Sequence, residues 1–180
     1  GTLQAGNVFT ASAPVTLTAG SATFGSTTSL VSFDQSGGTS TFNGAATVTT
    51  LTLRGGDAVT LAGSGDVTVS GHFDWRDESD LRGTGRLITA GTTTLTGGNG
   101  LGFGLVKVWE NRGDVTLANN AHIHFATESA AGSLINATGA TFNLDGGAAI
   151  PLDVFNGAGY VFVNAGTIVK NSSTTQTFGS

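Results

Sequence analysis

One short phrase recurs three times in the second half of this 180-residue chain: an apolar run, an Asn-x-Gly turn, then a fresh strand. The copies are Trp109-Glu110-Asn111-Arg112-Gly113, Leu134-Ile135-Asn136-Ala137-Thr138-Gly139 (one residue longer at the turn) and Phe162-Val163-Asn164-Ala165-Gly166. Their asparagines stand 25 and 28 residues apart. A repeat of that length, made of short strands and turns, specifies a solenoid in which each coil buries its apolar face against its neighbours. Two further echoes agree. The segment from Gly63 to Gly71 aligns with Gly83 to Gly91 at an interval of 20, and Leu53-Arg54-Gly55 returns as Leu81-Arg82-Gly83 at 28. Coils of that size predict roughly seven or eight in the chain.

The local pattern is that of strands throughout. Val15-Thr16-Leu17-Thr18, Thr47-Val48-Thr49, Leu51-Thr52-Leu53, Val59-Thr60-Leu61, Val67-Thr68-Val69, Thr93-Thr94-Leu95, Val115-Thr116-Leu117 and Thr141-Phe142-Asn143-Leu144 alternate apolar with polar residues. Period-two alternation sends one set inward and the other outward. Threonine suits the pleated surface because it is β-branched. Gly-Gly, Gly-x-Gly, Asn-Gly and Asp-Gly turns punctuate the runs, and no capped helical periodicity reaches ten residues. The expected fold is therefore all-β, a single-stranded right-handed parallel β-helix occupying residues 1–180 as one domain. Stacked coils place equivalent residues above one another, so Asn111, Asn136 and Asn164 are expected at corners, tolerating left-handed backbone and forming a side-chain ladder.

Composition narrows the function. Glycine supplies 29 residues and proline 2, as tight turns demand, while 38% hydrophobic content excludes a disordered linker. There is no cysteine, hence neither disulfide nor thiolate metal site. A net charge of −5 argues against a nucleic-acid partner. No apolar run approaches a membrane helix, so no membrane insertion is expected. The chain opens on Gly1-Thr2-Leu3 without a basic leader, and both ends read as cuts through a larger protein.

The order of motifs carries a resemblance. Leu51-Thr52-Leu53-Arg54-Gly55-Gly56, then Gly65-Asp66-Val67-Thr68-Val69-Ser70-Gly71-His72-Phe73-Asp74-Trp75, then Gly83-Thr84-Gly85 lead on. Thr94-Leu95-Thr96-Gly97, Glu110-Asn111-Arg112-Gly113, Phe155-Asn156 and the run from Val163 to Lys170 complete the series. Over about residues 45 to 178 the chain resembles the Gly/Thr/Asn-rich β-helix repeats of large bacterial secreted and surface proteins, the filamentous haemagglutinin-like and autotransporter-passenger-like adhesins. The resemblance implies extracellular or cell-surface scaffold and adhesion work, with any export signal outside this segment. It transfers no catalytic residue. Surface glycans or proteins, and neighbouring repeats of one parent chain, are the partners it implies.

One segment breaks the pattern. Five of the seven residues 74 to 80 are charged: Asp74, Arg76, Asp77, Glu78 and Asp80, with Trp75 among them. Their carboxylates are candidate Ca²⁺ ligands, since that ion takes six to eight oxygens. Alternatively a sugar could stack on Trp75 or Trp109 while the charged groups bond its hydroxyls. The third reading is a solvated corner whose charges keep a sticky rod soluble. No EF-hand or calcium nonapeptide spacing is present.

His122-Ile123-His124 is the other chemically suggestive run. On a strand both imidazoles share one side, and a metal would need a third ligand from Asp114, Glu128 or an adjacent coil. His72 and the lone lysines Lys107 and Lys170 complete no constellation, and a polysaccharide-cleaving site would have to use Asp74, Asp77 and Asp80 with Arg76, Arg82 or Arg86. An ice-binding threonine face would need Thr-x-Thr pairs at one interval, whereas Thr16/Thr18, Thr47/Thr49, Thr50/Thr52 and Thr94/Thr96 are irregularly spaced. The sequence therefore predicts a non-catalytic scaffold without a metal or other required cofactor. The alternative is a carbohydrate-binding module or a remnant of a polysaccharide-active β-helix.

Overall fold

A computed structural model describes residues 1–97, 102–126, 132–155 and 160–179. Apart from one 3₁₀ turn at Gly56–Ala58, its regular structure is strand. The chain winds in successive passes. The first contains β1 (Thr2–Ala5), β2 (Phe9–Ala11) and β3 (Val15–Leu17). In the next three, the last two runs fuse into one bent strand: β4 (Ser21–Phe24) and β5 (Thr28–Gln35), β6 (Gly38–Phe42) and β7 (Ala46–Leu53), β8 (Val59–Ala62) and β9 (Val67–Arg76). They separate again in β10 (Asp80–Leu81), β11 (Leu87–Thr89) and β12 (Thr92–Gly97), then β13 (Phe103–Leu105), β14 (Val108–Asn111) and β15 (Asp114–Asn119). The final two passes hold β16 (Ile123–Ala126), β17 (Ser133–Asn136) and β18 (Thr141–Leu144), then β19 (Leu152–Phe155), β20 (Val161–Asn164) and β21 (Thr167–Lys170).

All strand pairs are parallel, between a run and its equivalent one pass on, which is the β-solenoid the repeats predict. The first run of each pass builds an eight-stranded sheet, and the other two share a thirteen-stranded sheet. Counting that first sheet gives eight passes, of which about six are full turns covered on both sides; the fully stacked rod is slightly shorter than seven or eight coils. Pass length is uneven, from 18 residues between Ser21 and Thr39 to 29 between Ile123 and Leu152. The echo at 20 residues is true register, since Val67 pairs with Leu87. The echo at 28 is not: Leu53 lies beside Trp75 in one sheet, and Leu81 beside Leu61 in the other. Those two Leu-Arg-Gly phrases mark different corners of the coil, alike because both turn on glycines at positive φ, 120° at Gly55 and 97° at Gly83.

The inward columns explain the alternation. One runs Val15, Phe33, Leu51, Phe73, Thr93, Val115, Phe142, Ile168; the next runs Leu17, Gln35, Leu53, Trp75, Leu95, Leu117, Leu144, Lys170. Aromatic rings stack along the bore, with Phe24 and Phe42 centroids 4.7 Å apart and Trp75 between Phe73 at 5.6 Å and Phe103 at 5.0 Å. Gln35, inside the bore, is satisfied by donating to the carbonyls of Gly38 and Thr60 while accepting from the Ser40 hydroxyl. Register, not interval, decides which threonines align. Thr16, Thr52 and Thr94 share an outward column, but Asp34 and Asp74 interrupt it, so these pairs form no continuous threonine face.

Candidate functional site

The charged corner forms where β9 ends. Its backbone turns through two consecutive left-handed residues, Asp77 at φ 56° and Glu78 at φ 65°. Trp75 holds the turn from within: its indole Nε1 donates to the Ser79 carbonyl at 3.0 Å, and the Ser79 hydroxyl donates to the Arg76 carbonyl at 3.2 Å. The carboxylates are divided between arginines. Arg76 donates to Asp74 from both Nε and an η nitrogen, and Arg82 grips Asp80 from Nε at 2.9 Å and Nη2 at 2.8 Å. Asp77 faces solvent and Glu78 is buried. Among the described residues no three His, Cys, Asp or Glu side chains gather to hold a metal ion.

The two tryptophans do not stand where a sugar platform requires. Trp75 and Trp109 have 0% relative exposure and meet edge to face in the core, 5.7 Å between centroids. A ring without exposed surface cannot stack on a ligand, so the ligand-stacking role expected of Trp75 and Trp109 is corrected to a packing role. Strand parity is the cause: Trp75 follows Phe73 by two, and both occupy inward columns. Arg76 is exposed, and Asp74 points outward between two aromatics with its oxygens turned to Arg76.

Asn111, Asn136 and Asn164 do form a ladder. Asn111 Nδ2 donates to Asn136 Oδ1 at 2.8 Å, and Asn136 Nδ2 donates to Asn164 Oδ1 at 2.7 Å. Each amide also reaches a main-chain carbonyl of the following pass, Thr141 and Thr167 respectively, both at 3.1 Å. The ladder starts one pass earlier than its asparagines. Thr89 occupies the same column, receives the Trp109 indole N–H at 3.0 Å and faces Asn111 Oδ1 at 3.4 Å. The corner expectation needs correction: these asparagines end strands and point inward, and none has positive φ. The tight turn belongs to the glycine, because a Cβ at Gly113 would run into the Gly91 carbonyl oxygen one pass below.

Along the outer face of the eight-stranded sheet lies an open groove of about 490 Å³, lined by Asn120, His122, His124, Asp153 and the backbone bend from Gly147 to Ile150. Ile123 is fully buried, and the two imidazoles share the outer side as the strand pattern predicts, with ring centroids 4.4 Å apart. His122 Nδ1 lies 3.2 Å from the Asn120 carbonyl, which makes that nitrogen the donor. Asp153, one pass on, approaches His124 Nε2 at 3.8 Å. Burial pushes the His124 imidazole below its ordinary pKa; His122 adds to that effect and Asp153 opposes it. Asp114 pairs with Thr92 and Thr141 in the other sheet and does not join them, while Glu128 and Asn156 lie outside the described residues.

Two features escape the sequence pattern. Asp153 meets His124 only through the 29-residue pass between Ile123 and Leu152, which no motif marks. Lys107 is buried, and its amine has no hydrogen-bond partner among the described residues. Burial drives its pKa down to about 8, against the attraction of Asp66.

No family model, curated protein or solved structure matches this chain.

Proposed function

We propose that this chain is a non-catalytic segment of an extracellular bacterial scaffold or adhesin, an elongated β-helical stalk whose work is geometric. The observation that supports this reading is where the polar side chains of the interior are spent. Gln35, Ser40, Thr89, Asn111 and Asn136 bond to neighbouring passes, holding coil on coil, rather than converging on a reacting atom. Parallel passes then display the outward threonines, serines and charged pairs at about 4.8 Å per step along a stiff rod. Surface glycans or proteins, and adjoining repeats of a parent chain, are the contacts such a display suits.

The carbohydrate-binding alternative is favoured by one observation, the groove at His122, His124 and Asp153, whose imidazoles, carboxylate and backbone carbonyls suit sugar hydroxyls. Titration of the intact chain against a polysaccharide panel, read by calorimetry and by release of reducing ends, separates the two. The scaffold reading expects no turnover and no polysaccharide binding that depends on the His124 groove. Saturable binding lost in His124→Ala establishes the alternative, and release of reducing ends overturns the non-catalytic reading.

A further inference from the structure

We infer that the groove on the eight-stranded sheet is a transition-metal site: His122 and His124 hold one copper(II) ion through two cis imidazole nitrogens, Asp153 supplies countercharge, and water takes the remaining positions. Such a site is independent of the scaffold reading. Strand parity puts the two rings together. His122 and His124 flank the fully buried Ile123 at the start of β16, so both imidazoles leave the same outer face of the sheet.

Their separation selects the geometry. Two imidazoles bound to one ion at about 2.0 Å place their ring centres about 4.5 Å apart at a right angle, and about 5 Å apart at the tetrahedral angle. The rings here stand 4.4 Å apart, with planes inclined at 60°. A right-angled nitrogen pair with open positions is the tetragonal arrangement of copper(II) and nickel(II), and copper(II) is the most tightly held of the divalent first-row ions. A tetrahedral zinc site takes at least three protein ligands, and among the described residues no three His, Cys, Asp or Glu side chains gather.

The surroundings hold each ring as a ligand is held. A metal-binding imidazole donates its other N–H to a carbonyl or carboxylate, which fixes the tautomer. His122 has that arrangement, with Nδ1 3.2 Å from the Asn120 carbonyl. The His124 ring rests against Gly102 of the preceding pass, where a Cβ would run into it. Asp153 stands one pass on, its Oδ1 accepting the Val154 N–H at 2.7 Å and its Oδ2 3.8 Å from His124 Nε2. That carboxylate is near enough to offset an ion's charge without being a ligand. The chain offers copper little else. It has no cysteine or methionine, and its third histidine, His72, lies 2.8 Å from the Thr92 hydroxyl in the other sheet.

Copper(II) sulfate titrated into the intact, untagged chain at neutral pH, followed by calorimetry and electron paramagnetic resonance, tests the site. Saturation at one equivalent is expected, with a tetragonal spectrum showing modulation from two imidazoles. His122→Asn and His124→Asn should each weaken binding at least about tenfold and leave one imidazole in the spectrum. Asp153→Asn should weaken it about threefold and leave both, and His72→Asn should change nothing. The spectrum of the unaltered chain decides the matter even where a variant fails to fold. No saturable binding, fewer than two imidazoles in that spectrum, unchanged affinity in either histidine variant, or tighter binding of zinc(II) than of copper(II) would each overturn the inference.

Discussion

Replacing Lys107 with methionine should stabilise the protein at neutral pH, although it removes a charge from an acidic chain. The lysine sits just before β14, two residues ahead of Trp109; the matching places before Leu87 and Leu134 are held by Gly85 and Gly132. Its side chain therefore enters the bore where the neighbouring passes have none, and at 2% exposure its amine finds no acceptor among the described residues. Burial lowers the pKa from 10.5 to about 8. That difference corresponds to about 3 kcal/mol of charge-burial cost, at 1.36 kcal/mol for each tenfold change.

The sign follows from proton counts. Between about pH 8 and 10.5 the unfolded chain binds the proton and the folded chain does not, so stability rises with pH through that window. Below it both states are charged and the full cost is present. Methionine keeps the stem's packing without the amine, so Lys107→Met should gain about 3 kcal/mol at pH 7, or roughly 10 °C in Tm for a chain of this size. Denaturant melts of both proteins across pH 7 to 10.5 check it. The gap should be full at pH 7 and close by the top of the range. A variant no more stable at pH 7, or a gap indifferent to pH, would refute the reasoning.

Other changes read different parts of the structure. Asn136→Ala takes away one acceptor of the buried Asn111 amide, which keeps the Gly113 and Thr141 carbonyls, and removes two bonds to the last pass, so a loss of about 2–4 kcal/mol in urea unfolding is expected. Asp77→Gly relieves a left-handed, exposed position and should raise stability by about 1 kcal/mol, with no change in the fold by circular dichroism. Trp75→Ala empties the centre of the aromatic stack and should cost about 3–5 kcal/mol, an effect on melting rather than on any surface binding. Because His124 has a lowered pKa when folded, stability should fall as pH drops through its ordinary value of 6.5; His124→Gln should remove that part of the acid-side slope.

The repeat architecture was legible because a solenoid writes its register into spacing. The 25- and 28-residue intervals of Asn111, Asn136 and Asn164 are true stacking distances, and the 20-residue echo from Val67 to Leu87 is too. What spacing cannot say is which corner a phrase occupies, as the two Leu-Arg-Gly segments show. The inward placement of Trp75 was also present in the sequence, since Phe73-Asp74-Trp75 alternates and Phe73 continues an apolar series. The density of charge around it masks that parity. Thr89 at the head of the amide ladder sits in the same phrase, Leu87-Ile88-Thr89-Ala90-Gly91, 22 residues before Asn111, and is hidden only because threonine stands where the later copies have asparagine. The groove at His124 and the buried Lys107 depend on passes of unequal length, a property fixed by loops rather than by strand pattern.

The central claim is that outward residues of one column stand at equal steps along a rod. The chain has no cysteine, so pairs can be introduced and spin-labelled without background. Ser29, Thr47, Thr68, Ile88, Glu110 and Ile135 form one such column. Labels on Ser29 paired in turn with Ile88, Glu110 and Ile135 should report distances that grow linearly, by about 4.8 Å for each added pass. Distances that stay flat, or that fail to increase in that order, would contradict the stacked parallel coil and the stalk built on it.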